Sequence, residues 1–591
     1  MKSYMFCVMV FLMAVFHANK AHSQSPDLIL THGKIFTADK NKLYVEAIAI
    51  KGNTILATGS NDYISKMAGK NTAVIDLGGK TVVPGFNDAH YHHSPYVTGY
   101  AISFPPDGRE PSWQELKDSI INAVKLQSPG TFLNATMGID VGTDTSINRF
   151  VLDQLAPSHP LLIQSYWGHV SFFNSAAIKA LGLSETEPNI PGGTFGRTQD
   201  GKTLNGQAYE YACDLLRSRR STNDALFSAS LQDLGKEALY FGVTSIQNMC
   251  TGASPEEYIS QLQATPMPVR FRLIRWAEIN SNGTLHIPAK KLSANVKALP
   301  LVSLSGTKWM MDGTPIERSA WVSAAYKDQP GVYGYMNFTP EQIKKILAEL
   351  NSRKDQPMFH VVGDATINYM LKELAALPQS WVSRRIRFEH GDAVMPSAFA
   401  MAKKLNIIVV QNPSHFTIVK TLHDRFSNTV LSNMQPMSSL LKAGIPVAIG
   451  SDGPLNPYLN IMFACMHPSN PKEAISVEEA VIAYTKTSAY AEGRDDKGTL
   501  STGKLADLVV LSQDIFTVPL PQLSATHSVL TMVNGKIVTT SLAQSKKQKL
   551  DEIMKTYHRY NMFDGSVLVA ENGKVIYKAA FGMANREWNV L

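Results

Sequence analysis

Two histidines one residue apart, His90 and His92, stand in the run TVVPGFNDAHYHH. In an extended chain residues i and i+2 point to the same side, so both imidazoles can reach one ion. His93 breaks that alternation and is the weaker ligand candidate. Farther along, His360 lies in MFHVV, His390 closes IRFEH and Asp452 closes VAIGSD. Each of these alone reads equally well as a satisfied core or loop residue. Jointly, at the ends of separate strand-like runs, they offer the neutral nitrogens and carboxylate that Zn²⁺ or a similar divalent ion prefers. Lys308, in GTKWMMDG, is out of character there, because an ammonium repels a cation. Two readings stay open for it: carboxylation by CO₂ turns it into an anionic bridge, or it snorkels to solvent or pairs with Asp312.

Such ligands need a scaffold whose strand ends converge on one mouth. Apolar runs at 81–86, 243–247, 271–276, 307–312, 358–362, 386–390, 407–411 and 447–452 alternate with amphipathic helical stretches. That is the α/β pattern of a (β/α)8 TIM barrel, whose chemistry sits at the C-terminal ends of its strands. The helices between are well marked. Thr339, Pro340 and Gln342 supply an N-cap, a first-turn proline and a capping-box partner, with Ile343, Ile346, Leu347 and Leu350 on one face. Ser476 and Glu479 repeat the capping box.

The flanks read differently. Residues 24–80 and 497–540 are short β-rich runs separated by Gly turns, and they are expected to pair into one composite β-sandwich domain made from both sides of the barrel. The barrel then spans 81–496, with an insertion at about 100–230 over its mouth, whose strands the pattern does not place.

Residues 1–23 have the layout of a secretory signal: Lys2, an apolar stretch from Tyr4 to Phe16, and small residues before Gln24. A periplasmic or secreted location is the expectation, with no membrane anchor after cleavage. Among 591 residues, 44% hydrophobic and 18% charged describe a globular chain able to bury a large core. Of the net charge of +7, Lys2 and Lys20 in the leader carry two and the tail from Ser541, with eight Lys or Arg against five Asp or Glu, carries three, which leaves the body nearly neutral. No basic stripe with interleaved aromatics accompanies it, so nucleic acid is not an expected partner. The four cysteines are widely spaced without a CxxC pair, which argues against a disulfide framework or a cysteine metal site.

The motifs VVPGFNDAHYH, GTKWMMDG, FHVVGD, RFEHGD and AIGSDGP resemble the amidohydrolase superfamily, in particular its YtcJ-like branch, which includes N-substituted formamide deformylases. WGHVSFFNSAAIKALG, DGKTLNGQAYEYA and GKLADLVVL are similar to further signatures of that branch. The resemblance implies hydrolysis of a non-peptide C–N bond in a small amide, formamide or N-acyl compound. It implies a binuclear site: His90, His92 and Asp452 on one ion, His360 and His390 on the second, and carboxylated Lys308 between them. A one-ion site from His90, His92, Asp452 and one of His360 or His390 is the fallback. Asp452 is the implied acid–base group, shuttling a proton from the nucleophile to the leaving nitrogen. His169, Asn174 and Glu210, from the two insertion signatures, and His415, in QNPSHF, are the implied substrate contacts. SIQNM departs from the family where relatives carry an acid, so Asn248 is expected to mark an altered pocket.

The tail at 541–591 resembles the opening of a serine β-lactamase-like hydrolase and reads as a truncated N-terminal fragment of such a domain. Its hairpin turns at Asn572-Gly573, and its Ser566 is not the Ser-x-x-Lys nucleophile. The competing reading of the chain is a binding or carrier barrel attached to that serine hydrolase; metal content separates the two.

Overall fold

Alternation in the strand Thr81–Pro84 sends Val82 and Val83 to opposite faces, and both are fully buried. The strand therefore belongs to a sheet covered on two sides. In the computed structural model, which describes residues 25–103, 109–280, 284–288, 299–541, 546–559, 563 and 565–582, that sheet has six strands. Their order is Lys536–Thr540, Ser528–Val533, Leu508–Leu511, Thr81–Pro84, Lys34–Phe36 and Tyr44–Val45. Both flanks of the sequence thus meet in one sheet, with Val83 opposite Val509. Leu30, Ile48, Ile50, Val82, Leu508 and Val510 fill the space toward a second sheet of four strands, Leu28–Thr31, Ala47–Lys51, Thr54–Gly59 and Ala73–Asp76. Val83, Val509 and Leu511 turn the other way and join the barrel core. The run at 81–86 was expected as the first barrel strand; it is instead mostly a strand of the small domain. An apolar run buried on two faces looks the same in either place. The expected leader at 1–23 lies outside the described residues.

The barrel begins one step later, at Phe86–Tyr91. Parallel neighbours follow in sequence order: Val243–Met249, Arg270–Trp276, Val302–Met310, Pro357–Val361, Arg387–His390, Ile408–Gln411 and Val447–Ile449. The last strand meets the first just past its end, where the Asp452 N–H donates to the His90 carbonyl at 2.8 Å. Helix Pro340–Arg353 carries the anticipated capping box and buries Ile343, Ile346, Leu347 and Leu350; Val477–Ile482 has its box too.

The insertion forms a layer of its own. Six strands, in the order Gly193–Arg197, Leu204–Glu210, Val170–Phe173, Leu161–Ser165, Leu133–Met137 and Tyr100–Ile102, make one sheet. Helix Trp113–Leu126 covers one face through Leu116, Ile120 and Ala123 against Leu161 and Ile163. Leu162, Phe173 and Leu204 pack on the other face with Ile178 and Leu216. The tail contributes the helix Lys546–Arg559 and a hairpin of Gly565–Glu571 with Lys574–Phe581, turning at Asn572 and Gly573 with φ of 51° and 78°. No helix among the described residues is long and apolar enough to cross a membrane.

Candidate metal centre

His90 lies inside the first barrel strand, and His92 follows it by one pleat. The buried carboxylate of Asp88 fixes this strand end: it accepts from the backbone N–H of His90 at 3.1 Å and of Ser451 at 2.9 Å. Asp452 is thereby held against the two histidines. His90 Nε2 is 3.1 Å from His92 Nε2, and Asp452 Oδ1 is 3.7 Å and 3.6 Å from these two nitrogens. The other carboxylate oxygen, Oδ2, faces His415 Nε2 at 3.5 Å and His390 Nδ1 at 4.0 Å. The rings of His390 and His360 are 4.4 Å apart, and His390 is 4.9 Å from His90. His390 and Asp452, at or just past the ends of their strands, both have positive φ, 67° and 50°, uncommon for residues other than glycine.

Each imidazole is oriented by its second nitrogen, which decides where its lone pair goes. His90 Nδ1 donates to Glu389 Oε2 at 2.6 Å, leaving Nε2 to face His92 and Asp452. His390 Nδ1 donates to Asn412 Oδ1 at 2.9 Å; the Asn412 amide is itself fixed by donating to the Gly450 carbonyl at 2.9 Å. His360 Nε2 donates to the Gly313 carbonyl at 3.3 Å, which leaves Nδ1 as its ligand atom. His92 Nδ1 pairs with Thr251 Oγ1 at 3.2 Å. Burial keeps all four rings neutral, with His92 depressed to about 3 and His90, His360 and His390 also lowered. Neutral imidazoles around a carboxylate form a donor set suited to a divalent ion. His90, His92 and Asp452 meet at one point, and His390 and His415 meet the same aspartate from the far side. Burial alone would raise Asp452, but the nearby His90, His92, His415 and Lys308 outweigh it and hold the carboxyl well below its usual range.

Lys308 is 1% exposed, with its Nζ 6.0 Å from the centre of the Trp276 ring. It makes no ion pair within 4 Å among the described residues and does not reach solvent. Asp312, the alternative partner, spends its carboxylate on the N–H groups of Val362, Gly363 and Trp321. Burial lowers the Lys308 ammonium to about 8.

Sequence reasoning missed Glu389 and its support. Arg387 donates to Glu389 through Nε at 2.7 Å and Nη2 at 2.9 Å, and to Gln247 at 2.7 Å. The available signal was two charged residues spaced i, i+2 in an otherwise apolar strand, which alternation points together into the barrel. Asn412, Thr251 and Asp88 carried no comparable signal.

The insertion residues divide. His169 sits over the His360 ring at 5.3 Å, and its Nδ1 is 2.7 Å from Glu210 Oε2. Asn174 does not join them: its Oδ1 accepts from Leu161 and Ala177, and its Nδ2 donates to the carbonyls of Ala156 and His159, with the residue fully buried. As the N-cap of helix Ser175–Ala180 it holds the insertion together, and the expectation of a substrate contact is corrected accordingly. Asn248 is likewise turned from the pocket, accepting from the His93 N–H at 2.7 Å. His93 itself is buried, with Nδ1 2.9 Å from the Tyr258 hydroxyl.

Residues 73–539 match the family described as the Amidohydrolase family. Among curated proteins, the chain is 28% identical to Protein LONG AFTER FAR-RED 3 of Arabidopsis thaliana, over 86% of this chain and 91% of that one. It is 25% identical to the N-substituted formamide deformylase of Arthrobacter pascens (87% and 98%) and to the putative amidohydrolase YtcJ of Bacillus subtilis (86% and 98%). An uncharacterized metal-dependent hydrolase from Pyrococcus horikoshii superimposes with a TM-score of 0.61 at 16% identity, over 84% of this chain and 99% of that one. This likeness concerns the fold.

Proposed function

The chain belongs to the Amidohydrolase family, as a metal-dependent hydrolase of carbon–nitrogen bonds, and from that premise we propose that it cleaves an amide, formamide or N-acyl bond of a small molecule. The observation that carries this reading is the convergence of His90 Nε2, His92 Nε2 and Asp452 Oδ1, each within 3.7 Å of the other two. The name of the formamide deformylase relative favours the same bond type.

His90, His92 and Asp452 would hold one divalent ion, Zn²⁺ or a similar metal, and His360, His390 and a carboxylated Lys308 would be the residues to hold a second. A divalent ion held there would acidify a water and polarise the scissile carbonyl. The chain's own residues do the rest. Asp452, ionised at neutral pH, accepts the proton of the attacking water and delivers it to the nitrogen, which leaves poorly unless protonated. His415, 3.5 Å from Oδ2 and one-third exposed, lines the route along which substrate reaches that oxygen. His169 contacts substrate from the insertion side, while the buried Glu210 behind it holds its Nδ1 at 2.7 Å rather than reaching substrate itself.

Lys308 is carboxylated in this reading. CO₂ adds to the neutral amine and releases one proton, and an ammonium lowered to about 8 leaves roughly a tenth of the side chain neutral at pH 7. Native mass spectrometry reads the added CO₂ on that peptide; an unmodified lysine in a fully metallated, active protein removes the bridged two-ion version. The signal-like start supports a periplasmic or secreted protein. The deciding experiment is metal analysis joined to a screen of N-formyl and N-acyl amines. Chelation is expected to abolish turnover and added Zn²⁺ to restore it; a metal-free protein with full activity would overturn the proposal.

A further inference from the structure

Three of the four candidate ligand histidines take their orienting partner from a side chain of the barrel or its adjoining loops: Glu389, Asn412 and Thr251. His360 differs. Its partner is the backbone carbonyl of Gly313, at 3.3 Å, so its orientation depends on where that loop lies. The loop is braced from within by Glu317, which accepts from the Thr314 N–H at 3.0 Å and lies 2.8 Å from Ser319 Oγ, and from outside by a residue of the inserted layer. A Cβ on Gly313 would stand 2.1 Å from Glu210 Oε1 and 1.8 Å from Ser319 Oγ, so the glycine backbone is seated directly against the Glu210 carboxylate and the hydroxyl that binds it. Ser319 Oγ donates to Glu210 Oε1 at 2.9 Å, and the neighbouring Thr314 N–H donates to Ser319 Oγ at 3.0 Å.

Glu210 is held there at a cost. It ends the strand Leu204–Glu210 with φ 56° and ψ −129°, a conformation strained for a residue with a Cβ, and its side chain is 1% exposed. Its other oxygen holds His169 at 2.7 Å, and that imidazole rests on the His360 ring. His360 is therefore bounded by the His169 ring on one side and by the Gly313 carbonyl at its Nε2 edge, and Glu210 touches both supports.

We propose that Glu210 is a positioning residue for the metal ligand His360, acting through Gly313 and His169, so that the inserted layer sets the metal affinity of the His360–His390 half of the site. The inference rests on the metal-dependent reading above. It assigns the insertion a second task besides covering the mouth: half of the metal centre is completed only when the layer is docked.

The test uses the full chain, stripped of metal and titrated with Co²⁺, with bound equivalents and the visible ligand-field spectrum as readouts. E210A is expected to weaken Co²⁺ binding about 10- to 100-fold and to alter the spectrum, as loss of a ligand's supporting partner does. E210Q, which keeps the shape and can still accept from Ser319, is expected to recover most of the affinity. If E210A does not fold, S319A cuts the same contact from the other side and is expected to show the same weakening. Wild-type affinity and spectrum in E210A or S319A would overturn the inference, with a raised KM as the only change assigning Glu210 to substrate instead. A wild-type chain that binds no Co²⁺ would overturn the metal-dependent reading itself, which separates the two failures.

Discussion

His90 Nδ1 and Glu389 Oε2 lie 2.6 Å apart with both side chains fully buried, and Arg387 closes the far side of the same carboxylate. The arrangement serves a ligand and a charge at once. Glu389 keeps the proton of His90 on Nδ1 and neutralises an arginine inside the barrel. Burial would raise this carboxyl, but Arg387 and His90 outweigh it and hold it well below the usual range.

E389Q removes the charge while keeping the shape, leaving Arg387 uncompensated in a dry core. Breaking a buried pair of this kind costs about 3–5 kcal/mol. Loss of the ligand's support lowers metal affinity about 10- to 100-fold. Urea denaturation and metal retained after dialysis measure the two effects. Unchanged values in both would show that Glu389 does not orient His90.

D452N retains an oxygen toward His90 and His92 but cannot take a proton. Turnover is expected to fall by about 10²- to 10⁴-fold, the usual contribution of a general acid–base group. The effect should appear in kcat more than in KM. A mutant with wild-type kcat would move the proton-transfer role elsewhere, His415 being the nearest candidate.

The His169–Glu210 pair has a pH signature. Burial lowers His169, but the Glu210 charge and hydrogen bond outweigh it and raise the imidazolium to about 9. A histidine whose folded pKa is raised stabilises the fold fully below the unfolded value of about 6.5 and loses that contribution as pH rises through the folded one. The difference in Tm between wild type and H169Q is therefore expected to shrink from pH 6.5 toward 9 to 10. A difference that is flat across this window would mean that His169 is neutral in the native chain.

N174A tests the correction made in the insertion. Removing an N-cap costs about 0.5–2 kcal/mol. The carbonyls and N–H groups it leaves unpaired inside the layer add about 1–3 kcal/mol. Stability should drop while KM for any turned-over substrate stays near wild type. The opposite outcome, a raised KM in a protein of native stability, would return Asn174 to the substrate.

Several local features were legible because their physics is local. Capping boxes at Thr339 and Ser476 and the turn at Asn572-Gly573 depend on residues within a few positions of one another. The convergence of His90, His92, His360, His390 and Asp452 was legible for a related reason: once parallel strands are inferred, their C-terminal ends share one mouth by topology. Lys308 rested on resemblance alone, and the fold adds its burial and its place 6.0 Å from the centre of the Trp276 ring.

What the tertiary structure decided lies between residues far apart in the chain. Whether Thr81–Pro84 is a barrel strand or a sandwich strand turns on Val83 meeting Val509, since an apolar run buried on both faces carries no mark of its partner. Asn174 and His169 stand five residues apart in one motif, yet one is consumed by backbone groups of the insertion and the other rests on His360. Which nitrogen of each histidine is free depends on Glu389, Asn412 and Gly313, and the chain brings those into hydrogen-bonding distance only by closing the barrel. The sequence by itself determined which groups could bind a metal. The closed fold determined how each is turned, because a ligand's direction is set by its second hydrogen bond, and that bond comes from another strand.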